Sequence, residues 1–589
     1  MTVLLDESID ITTDLSSGHG SGAGASALMQ GLLTLRMMLL HALVDEVADH
    51  PEVTAQAGVV DAYRALADVQ AHHPEVVATL LCYPNTGTWL NHVLLRATAE
   101  SDDSRVPLWA DCGYLGWLAA SASIMSGTAG SAQLVLRNGA VMLPGLGLAR
   151  LGEDDVCGHC DLSWTTSGTL HFTAATGSVQ VDSVAEETQS AWLPLHFLGG
   201  GDGEPLVRLD DLDPFRQRQA GLPMPRLDAE QARRWQQDFT AAWQLLHRDL
   251  DRYVAPMREC LRSITPLSVQ ARVETACYTS YNGPGCVYTT ATIDTCEFAL
   301  TLLHEIQHTK FNLLSDQVEL FIPDTACRFY APWRDDPRPI FGLLHGIYAF
   351  FGVVDFWRVH RTSNCHGSLQ AHADFELWRT QLSVATVQAA DSGLLTDAGH
   401  RLLRGLETAM RPWNDEQVPA EARYAAAESS AAHRTYWAVR NSVPDPEVIA
   451  ELAARWDSGK RPVPILPSAS LIDQAGIPAR YKGLHLAAQL TTFDTAAAAA
   501  LSSPEQPAGD HAYLTGDIAG AHVLYSEELR ADPLRPQLWA GLALTAPKMF
   551  GENDFGVLAE RAEIAAGLYA ALGADTDILQ LLRWLSAPS

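Results

Sequence analysis

The sequence predicts a mainly α-helical protein with a small β component, which is an α+β fold class. Apolar residues recur at helical spacing along most of the chain, whereas residues 129–185 change to short runs typical of strands. The residues from 511 onwards match the spacing of a tetratricopeptide helical hairpin. With 589 residues, the chain is too long for one ordinary hydrophobic core, so we expect several domains.

The chain divides into six predicted segments. In order, they are an N-terminal helical region (1–128), a small β insertion (129–185), a connector with a long helix (186–265), a core with an HExxH motif (266–456), a linker region (457–510) and a tetratricopeptide-like helical tail (511–589). The linker region is rich in alanine and proline, which is typical of joints between domains. We expect the tail to dock on the main body, because one repeat cannot form a solenoid by itself.

Local signals justify the individual elements. Asn138-Gly139 stands between two apolar runs and predicts a β-hairpin over 133–143. Asp228 precedes a long periodic segment and predicts the start of a helix that ends near Leu261. Residues 268–292, rich in Thr, Tyr and Val, predict two strands. Later helices are predicted at 340–360, 367–390, 396–412, 419–442 and 445–456.

Charge and composition exclude some partners. With 70 acidic and 40 basic residues, the formal net charge of −30 argues against binding to nucleic acid or to an anionic membrane. The N-terminus lacks the pattern of a signal peptide. Polar residues interrupt the two apolar stretches Leu28–Val44 and Phe341–Trp357, which predicts buried helices and not membrane spans. We therefore expect a cytoplasmic protein. The pair Cys157 and Cys160 has no helix after it and is interpreted as structural.

The segment from Ala299 to Leu314, ALTLLHEIQHTKFNLL, contains the motif that carries chemistry. On a helix, His304 and His308 share one face, so both imidazoles can reach one metal ion. Glu305 follows the first histidine directly. HExxH on a helix is typical of zinc hydrolases, in which the glutamate acts as the general base.

A metal ion that also binds substrate needs at least three protein ligands. We predict His345 as the third ligand, because it lies in an apolar helical segment where a histidine must be satisfied. Glu376 on a later helix and Asp316 are alternatives. Phe311 and Leu314 occupy positions where a metzincin would have glycine and histidine. Three histidines suit zinc, and they also suit iron(II) with an anionic co-substrate.

Three arginines, Arg328, Arg334 and Arg338, crowd the loop before His345. Arginine is the side chain best suited to bind a carboxylate through two hydrogen bonds. An oxygenase that uses 2-oxoglutarate needs such a residue for the distal carboxylate, whereas a peptidase has no evident need for several. The alternative is that they pair with the neighbouring aspartates Asp324, Asp335 and Asp336.

Several segments resemble the large HExxH-motif family associated with ribosomally synthesised, post-translationally modified peptides. The resemblance is clearest over residues 130 to 445 and includes the tail. In chain order, the matching segments are PGLGLARLG, LDDLDPFR, HEIQHTKFNLL, YAPWRDDPRPIFGLLHGIYAF, LTDAGHRLL and HRTYWAVR. The bare HExxH is only moderately specific, whereas APWRDDPRP followed by LLHG is far more telling.

The resemblance implies an iron(II)- and 2-oxoglutarate-dependent peptide β-hydroxylase that acts on a ribosomally made precursor peptide. His304 and His308 match the metal pair of that family, and His345 is the predicted third ligand. Arg338 or Arg334, or else Arg328, would bind the distal carboxylate of 2-oxoglutarate. Glu305 would be a ligand or a hydrogen-bond partner at the site and not a hydrolytic base.

Two other functions stay open at this point. The first is a zinc-dependent peptidase or amidase with Glu305 as general base. The second is a non-catalytic scaffold that binds a peptide through its helices. None of these functions requires a nucleic acid or a membrane as partner, and the metal content distinguishes the first two.

Overall fold

The protein is described by a computed structural model in which two compact units are present. The first unit comprises Met1–Leu15 with His19–Val318, and the second comprises Ser16–Gly18 with Glu319–Ser589. Helices account for 61% of the residues and strands for 13%, which confirms the predicted α+β class with mainly helical content. The structure describes residues 10–99, 104–153, 156–175, 177–185, 191–201, 203–216, 226–268, 277–291, 294–363, 368–462, 469–472, 507–551 and 555–587.

The first unit begins with helices and ends with the helix that carries HExxH. The Ser21 side chain accepts a hydrogen bond from the Gly24 amide and caps the longest of these helices, as an N-terminal serine is expected to do. The helices are Ile11–Leu15, Gly22–Ala48, Pro51–Ala57, Val59–His72, Pro74–Leu81, Pro84–Ala97, Leu108–Cys112, Tyr114–Met125, Ala229–Asp249, Asp251–Cys260 and Thr295–Gln317.

The helix predicted to start at Asp228 does start there. The Asp228 side chain accepts from the Gln231 amide while the Gln231 side chain accepts from the Asp228 amide, which forms a capping box. The prediction of one helix to Leu261 is wrong, because the chain leaves helical geometry at Leu250 and forms two helices, Ala229–Asp249 and Asp251–Cys260.

The predicted turn at Asn138-Gly139 is confirmed, but its two strands separate into different sheets. Both turn residues have positive φ, 50° and 70°, as a tight hairpin turn requires. The preceding strand joins a four-stranded sheet, Gly130–Leu136, Gly158–Trp164, Leu170–Ala174 and Gly177–Val181. The following strand joins a three-stranded sheet, Ala140–Leu143, Gly147–Arg150 and Trp192–Pro194. Only Arg137 and Ala140 pair across the turn itself.

A five-stranded sheet precedes the HExxH helix. Its order is Cys277–Tyr278, Cys286–Thr290, Ser263–Leu267, Leu206–Leu209 and His196–Gly199. The middle strand, Ser263–Leu267, runs parallel to both of its neighbours. The strands Cys286–Thr290 and Cys277–Tyr278 are antiparallel, and they come directly before the HExxH helix in the sequence. The predicted strand character of residues 268–292 is therefore found in two described strands.

The acidic segment LDDLDPF was expected to be a connector, yet its aspartates are buried. Asp210 accepts hydrogen bonds from Tyr83 and from Asn85, and Asp213 accepts one from Tyr114. Asp211 pairs with Arg226 at 2.6 Å. These carboxyl groups hold the loop to the helices around it through hydrogen bonds, as buried polar groups are expected to do.

The second unit is almost entirely helical. The predicted helices of the core are found with ends within a few residues of the prediction. They are Ile340–His360, Ser368–Ala390, Asp397–Met410, Ala420–Asn441 and Pro446–Asp457, and the tail adds Ala508–Leu514, Ile518–Ala531, Pro536–Phe550, Gly556–Glu560, Ala562–Leu572 and Ile578–Ser586. Most of the predicted linker region lies outside the described residues.

The tail packs on the helix Ala420–Asn441. Lys548 pairs with Glu428 at 2.9 Å, and the Thr435 hydroxyl donates to the Leu558 carbonyl at 2.7 Å. Within the tail, the Tyr525 ring lies against Gly509 and Gly541, where a Cβ atom would clash with it. These two glycines thus allow the helices Ala508–Leu514 and Pro536–Phe550 to approach the ring of Tyr525 closely.

Two helices, Gly22–Ala48 and Ile340–His360, are long and apolar enough to cross a membrane by length and composition. In the second of them, 83% of the apolar window is buried inside the protein, which is typical of a core helix. In the first, the share is 33%, and the helix carries the buried Arg36, whose guanidinium donates to the Asn282 carbonyl at 2.7 Å.

Candidate metal site

The HExxH motif lies on the helix Thr295–Gln317, which is buried on nearly all sides. The helix begins at Asp294, whose carboxylate accepts hydrogen bonds from the amides of Cys296 and Glu297 at 2.7 and 2.9 Å. Such a cap fixes the first turn and favours the negative charge at the positive end of the helix dipole. The motif is therefore held on a rigid element within the first unit.

The Nε2 atoms of His304 and His308 lie close together. These atoms are 3.0 Å apart, and the rings cross at 83°. A metal ion binds imidazole nitrogen at about 2.0–2.1 Å, so one ion can bind both. Burial lowers the pKa of His304 to about 4, which keeps this imidazole neutral at pH 7, the form that binds a metal.

Glu305 is 2% exposed, and burial raises its pKa to about 7. Hydrogen bonds from the side chains of Thr279 and Cys277 oppose that shift. The Oε2 atom is buried and has no hydrogen-bond partner among the described residues. A buried carboxylate oxygen without a donor is costly unless something else satisfies it.

The prediction of HExxH chemistry missed Cys277 and Thr279. Cys277 is in the short strand Cys277–Tyr278 and Thr279 follows it directly, and both side chains form hydrogen bonds with the Glu305 side chain. The alternation in ACYTS was visible in the sequence, but nothing in it indicated that this strand pairs beside the motif helix.

The donor atoms on the motif helix fit a divalent metal ion. His304 and His308 supply two neutral nitrogens within reach of one ion, and Glu305 supplies a buried carboxylate oxygen on the same helix. Among the residues that the structure describes, no group of three or more His, Cys, Asp and Glu side chains is arranged to hold a metal. The third ligand therefore stays a prediction.

His345, the predicted third ligand, lies in the second unit on the helix Ile340–His360. Its ring stacks on Phe341, with the centroids 5.5 Å apart and an angle of 22° between the planes. The side chain is half-buried. The alternatives make other contacts: Glu376 pairs with Arg379, and Asp316 accepts a hydrogen bond from Tyr281.

The three predicted arginines all have carboxylate partners within the second unit. Arg328 pairs with Asp324. Arg334 and Arg338 both pair with Asp336, at 2.9 and 3.2 Å. Local pairing, the alternative considered for each of them, is thus what the described contacts show, and the assignment of one of them to a co-substrate stays a prediction.

The segments YAPWRDD and HRTYWAVR, which are far apart in the sequence, lie side by side. The Tyr330 hydroxyl is 2.8 Å from His433 Nδ1, and the ring of Tyr330 packs against Trp437. The guanidinium of Arg434 lies 4.4 Å from the centre of the Tyr330 ring. The side-chain amide of Asn441 donates to the Asp335 backbone carbonyl at 2.8 Å. Several residues of these two segments therefore contact each other and stabilise the second unit.

The predicted structural role of Cys157 and Cys160 agrees with their surroundings. Both are free thiols, and Cys160 is buried in the strand Gly158–Trp164, so no helix follows the pair as a redox motif would require.

In comparisons with known proteins, the chain matches no family model and no curated protein sequence. The chemistry open to the site is that of its donor atoms. Two imidazoles and a carboxylate support a Lewis-acid ion that activates water, and they equally support iron(II) in an oxygenase.

Proposed function

We propose that the protein is an iron(II)- and 2-oxoglutarate-dependent dioxygenase that hydroxylates the β-carbon of a residue in a ribosomally made precursor peptide. The observation that carries the proposal is the pair of Nε2 atoms of His304 and His308, 3.0 Å apart on one buried helix. Resemblance of the flanking segments to the HExxH-motif family of peptide-modifying enzymes favours oxygenase chemistry over hydrolysis.

The proposal gives each candidate residue of the metal site a role. His304 and His308 hold the metal, with His345 as the predicted third ligand. When bound, iron(II) supplies the oxidation chemistry. Glu305 accepts a hydrogen bond or binds the metal through its buried Oε2 atom. We place the protein in the cytoplasm, with the precursor peptide as partner and without nucleic acid or membrane.

Arg338 is the best candidate for the distal carboxylate of 2-oxoglutarate. It shares Asp336 with Arg334, and its own distance of 3.2 Å is the longer of the two. If Arg338 turns to a bound carboxylate, Asp336 keeps a partner, so no buried charge is left alone. Arg328 is the one arginine paired with Asp324 among the described residues, so its departure would leave Asp324 without a cationic partner there.

Metal content and product mass together test the proposal. The wild-type protein, loaded anaerobically with iron(II), should retain iron after desalting, and His304→Ala should lose it. His171→Ala, which changes an exposed histidine on the strand Leu170–Ala174, is the matched control and should retain iron. Incubation with 2-oxoglutarate, oxygen and a precursor peptide encoded nearby should add one oxygen atom to the peptide and form succinate.

A zinc-dependent peptidase or amidase is the second candidate, and the position of Glu305, a buried carboxyl directly after His304 on the motif helix, favours it. A carboxyl at this position of HExxH can act as the general base toward water on the metal. Glu305→Gln would then keep zinc but lose peptide cleavage. Full zinc occupancy with cleavage of the peptide and no consumption of 2-oxoglutarate would overturn the oxygenase.

A further inference from the structure

A cavity of about 300 Å³ in the first unit contains two arginines and lies apart from the HExxH helix. None of its described lining residues belongs to the helix Thr295–Gln317. Arg208 lies within the strand Leu206–Leu209, and Arg262 directly precedes the parallel strand Ser263–Leu267 beside it. The Arg208 amide donates to the Arg262 carbonyl at 3.2 Å. The two side chains open into the same space with Met29, Leu33 and Cys82.

Neither guanidinium has a carboxylate or hydrogen-bond partner among the described residues. Arg208 lies over the Tyr83 ring, 5.2 Å from its centre, but its Nε atom is buried with no acceptor. Burial, and then the like charge of Arg262, lowers the pKa of Arg208 to about 10. The side chain still carries its charge at pH 7.

The walls of the cavity supply no compensating charge. Cys82 is its one acidic group among the described lining residues, and burial raises the pKa of this thiol to about 11, although Arg262 and Arg36 act against the shift. The thiol is thus neutral. In a chain with 70 acidic residues, two adjacent arginines without a carboxylate form an unusual positive site.

The rim of the cavity is apolar and exposed. Phe197 is 42% exposed and Leu206 is 63% exposed, on the neighbouring strands His196–Gly199 and Leu206–Leu209. Large apolar side chains at the mouth of a polar cavity are typical of a ligand site, in which they cover the apolar part of the bound molecule.

We propose that this cavity binds a small organic anion, with its carboxylate or phosphate group between Arg208 and Arg262 and its apolar part against Leu206 and Phe197. Arginine binds either anion through paired hydrogen bonds to two oxygens. The volume suits a small molecule and not a folded partner. The site is independent of the proposed oxygenase, because it uses none of the HExxH residues.

Thermal unfolding and calorimetry of the full chain test the site with defined probes. Succinate, inorganic phosphate and N-acetyl-aspartate amide are compared with sodium chloride at equal ionic strength. The last probe represents a carboxylate carried on a peptide. At least one probe should raise the melting temperature above the sodium chloride control, and the tightest of the three identifies the kind of anion. The same response in His304→Ala would separate this site from the metal site.

Three variants give the expected pattern. Arg208→Met should weaken binding of the tightest probe by about tenfold to a hundredfold, because a charged hydrogen-bond pair is lost. Without anion it should unfold at the same or a higher temperature, because the repulsion from Arg262 is gone. Leu206→Glu changes an exposed residue and should abolish binding by placing a carboxylate at the mouth of the cavity. Arg64→Met, on an exposed helix face, is the control and should bind as the wild type does.

Two results would overturn the site. One is a wild-type protein that no probe stabilises beyond sodium chloride. The other is that Leu206→Glu binds the tightest probe as well as Arg64→Met does, and that Arg208→Met does so too if that variant folds.

Discussion

Gly346 sets how closely the loop before the helix Ile340–His360 can approach that helix. A Cβ atom at this position would lie 2.2 Å from the Trp333 ring. Trp333 also stacks on Phe350 of the same helix, with centroids 4.5 Å apart and an angle of 14° between the planes. The glycine of LLHG and the tryptophan of APW therefore form one contact.

Gly346→Ala should destabilise the protein by about 1–3 kcal/mol, because the added methyl group must displace a ring that is already packed. Urea unfolding, followed by circular dichroism, measures the loss. Gly342→Ala is the comparison, since the atoms nearest to its methyl group belong to the long, flexible side chain of Arg338 and not to a stacked ring. Equal stability of Gly346→Ala and the wild type would contradict the role of this contact.

Arg338→Ala should raise the KM for 2-oxoglutarate by about tenfold to a hundredfold, as expected for a lost hydrogen bond to a charged group. Iron content should not change, because Arg338 is not a predicted ligand. Steady-state kinetics with the precursor peptide and metal analysis provide the two measurements. If Arg334→Ala or Arg328→Ala has the larger effect on KM, the carboxylate-binding role belongs to that residue.

At the residue scale, local spacing predicted the parts of the site that depend on one helix. His304 and His308 are four positions apart, and helical geometry alone brings their nitrogens together. Cys277, Thr279 and the two arginines of the cavity depend on how strands pair, which no local pattern contains.

Among the elements, the short helix Leu108–Cys112 is held by a buried cluster of charges around Asp111. His92 lies 2.9 Å from this carboxylate, and the Arg137 Nε atom lies 2.5 Å from it. Arg96 also pairs with Asp111. Burial alone would raise the pKa of Asp111, but the hydrogen bond with His92 and the charges of the arginines outweigh it, so the pKa lies below its ordinary value of 3.8.

Asp111→Asn should destabilise the protein by about 3–5 kcal/mol at pH 7, because it leaves two arginines buried without their carboxylate. Chemical unfolding at several pH values measures this. The folded pKa is below the unfolded pKa, so the contribution is complete above about pH 4 and is lost at lower pH as Asp111 takes up a proton. The difference between variant and wild type should shrink as the pH falls below about 4. A difference that does not shrink there would contradict the assignment.

The sheets show why elements are easier to predict than their partners. The tight turn at Asn138-Gly139 follows from two residues that tolerate positive φ. The separation of its strands into two sheets depends on Gly158–Trp164 and Gly147–Arg150, which come later in the chain. The segment LDDLDPF was predicted as part of a connector, and no local pattern indicated that its aspartates are buried. Their partners Tyr83, Asn85 and Tyr114 lie about a hundred residues or more away in the sequence.

At the scale of the whole molecule, the tail is part of the second unit and not an independent appendage. Ala432 and Tyr436 of the helix Ala420–Asn441 share a hydrophobic core with Leu538 and Trp539 of the tail. Separation of these groups would expose a continuous apolar surface.

A chain that ends at residue 506 should lose solubility and bind more of a hydrophobic dye than the full chain does. The apolar face of the helix Ala420–Asn441 would then have no cover. Dye fluorescence and the soluble fraction after expression are the measurements. Lys548→Ala, which removes only the ion pair with Glu428, is the control and should remain soluble. A truncated chain as soluble as this control would show that the tail is dispensable for folding.

The overall fold class was accessible from the sequence because helix formation depends mainly on local spacing. The helices from Ile340 to Asp457 lie close to their predicted positions for that reason. The division into units at Val318 falls inside the predicted core 266–456, and the contacts that define it are not local. The division of the chain into six segments stays a prediction.

The contact between Trp333 and Gly346 also has a use in searching for related chains. A helix with HExxH requires only three residues, and many unrelated proteins contain one by chance. A tryptophan and a glycine at this spacing indicate a loop that folds back on the next helix. The ring of Trp333 fits there because position 346 has no Cβ atom. A pattern that joins both requirements selects sequences by their three-dimensional packing as well as by their donor atoms.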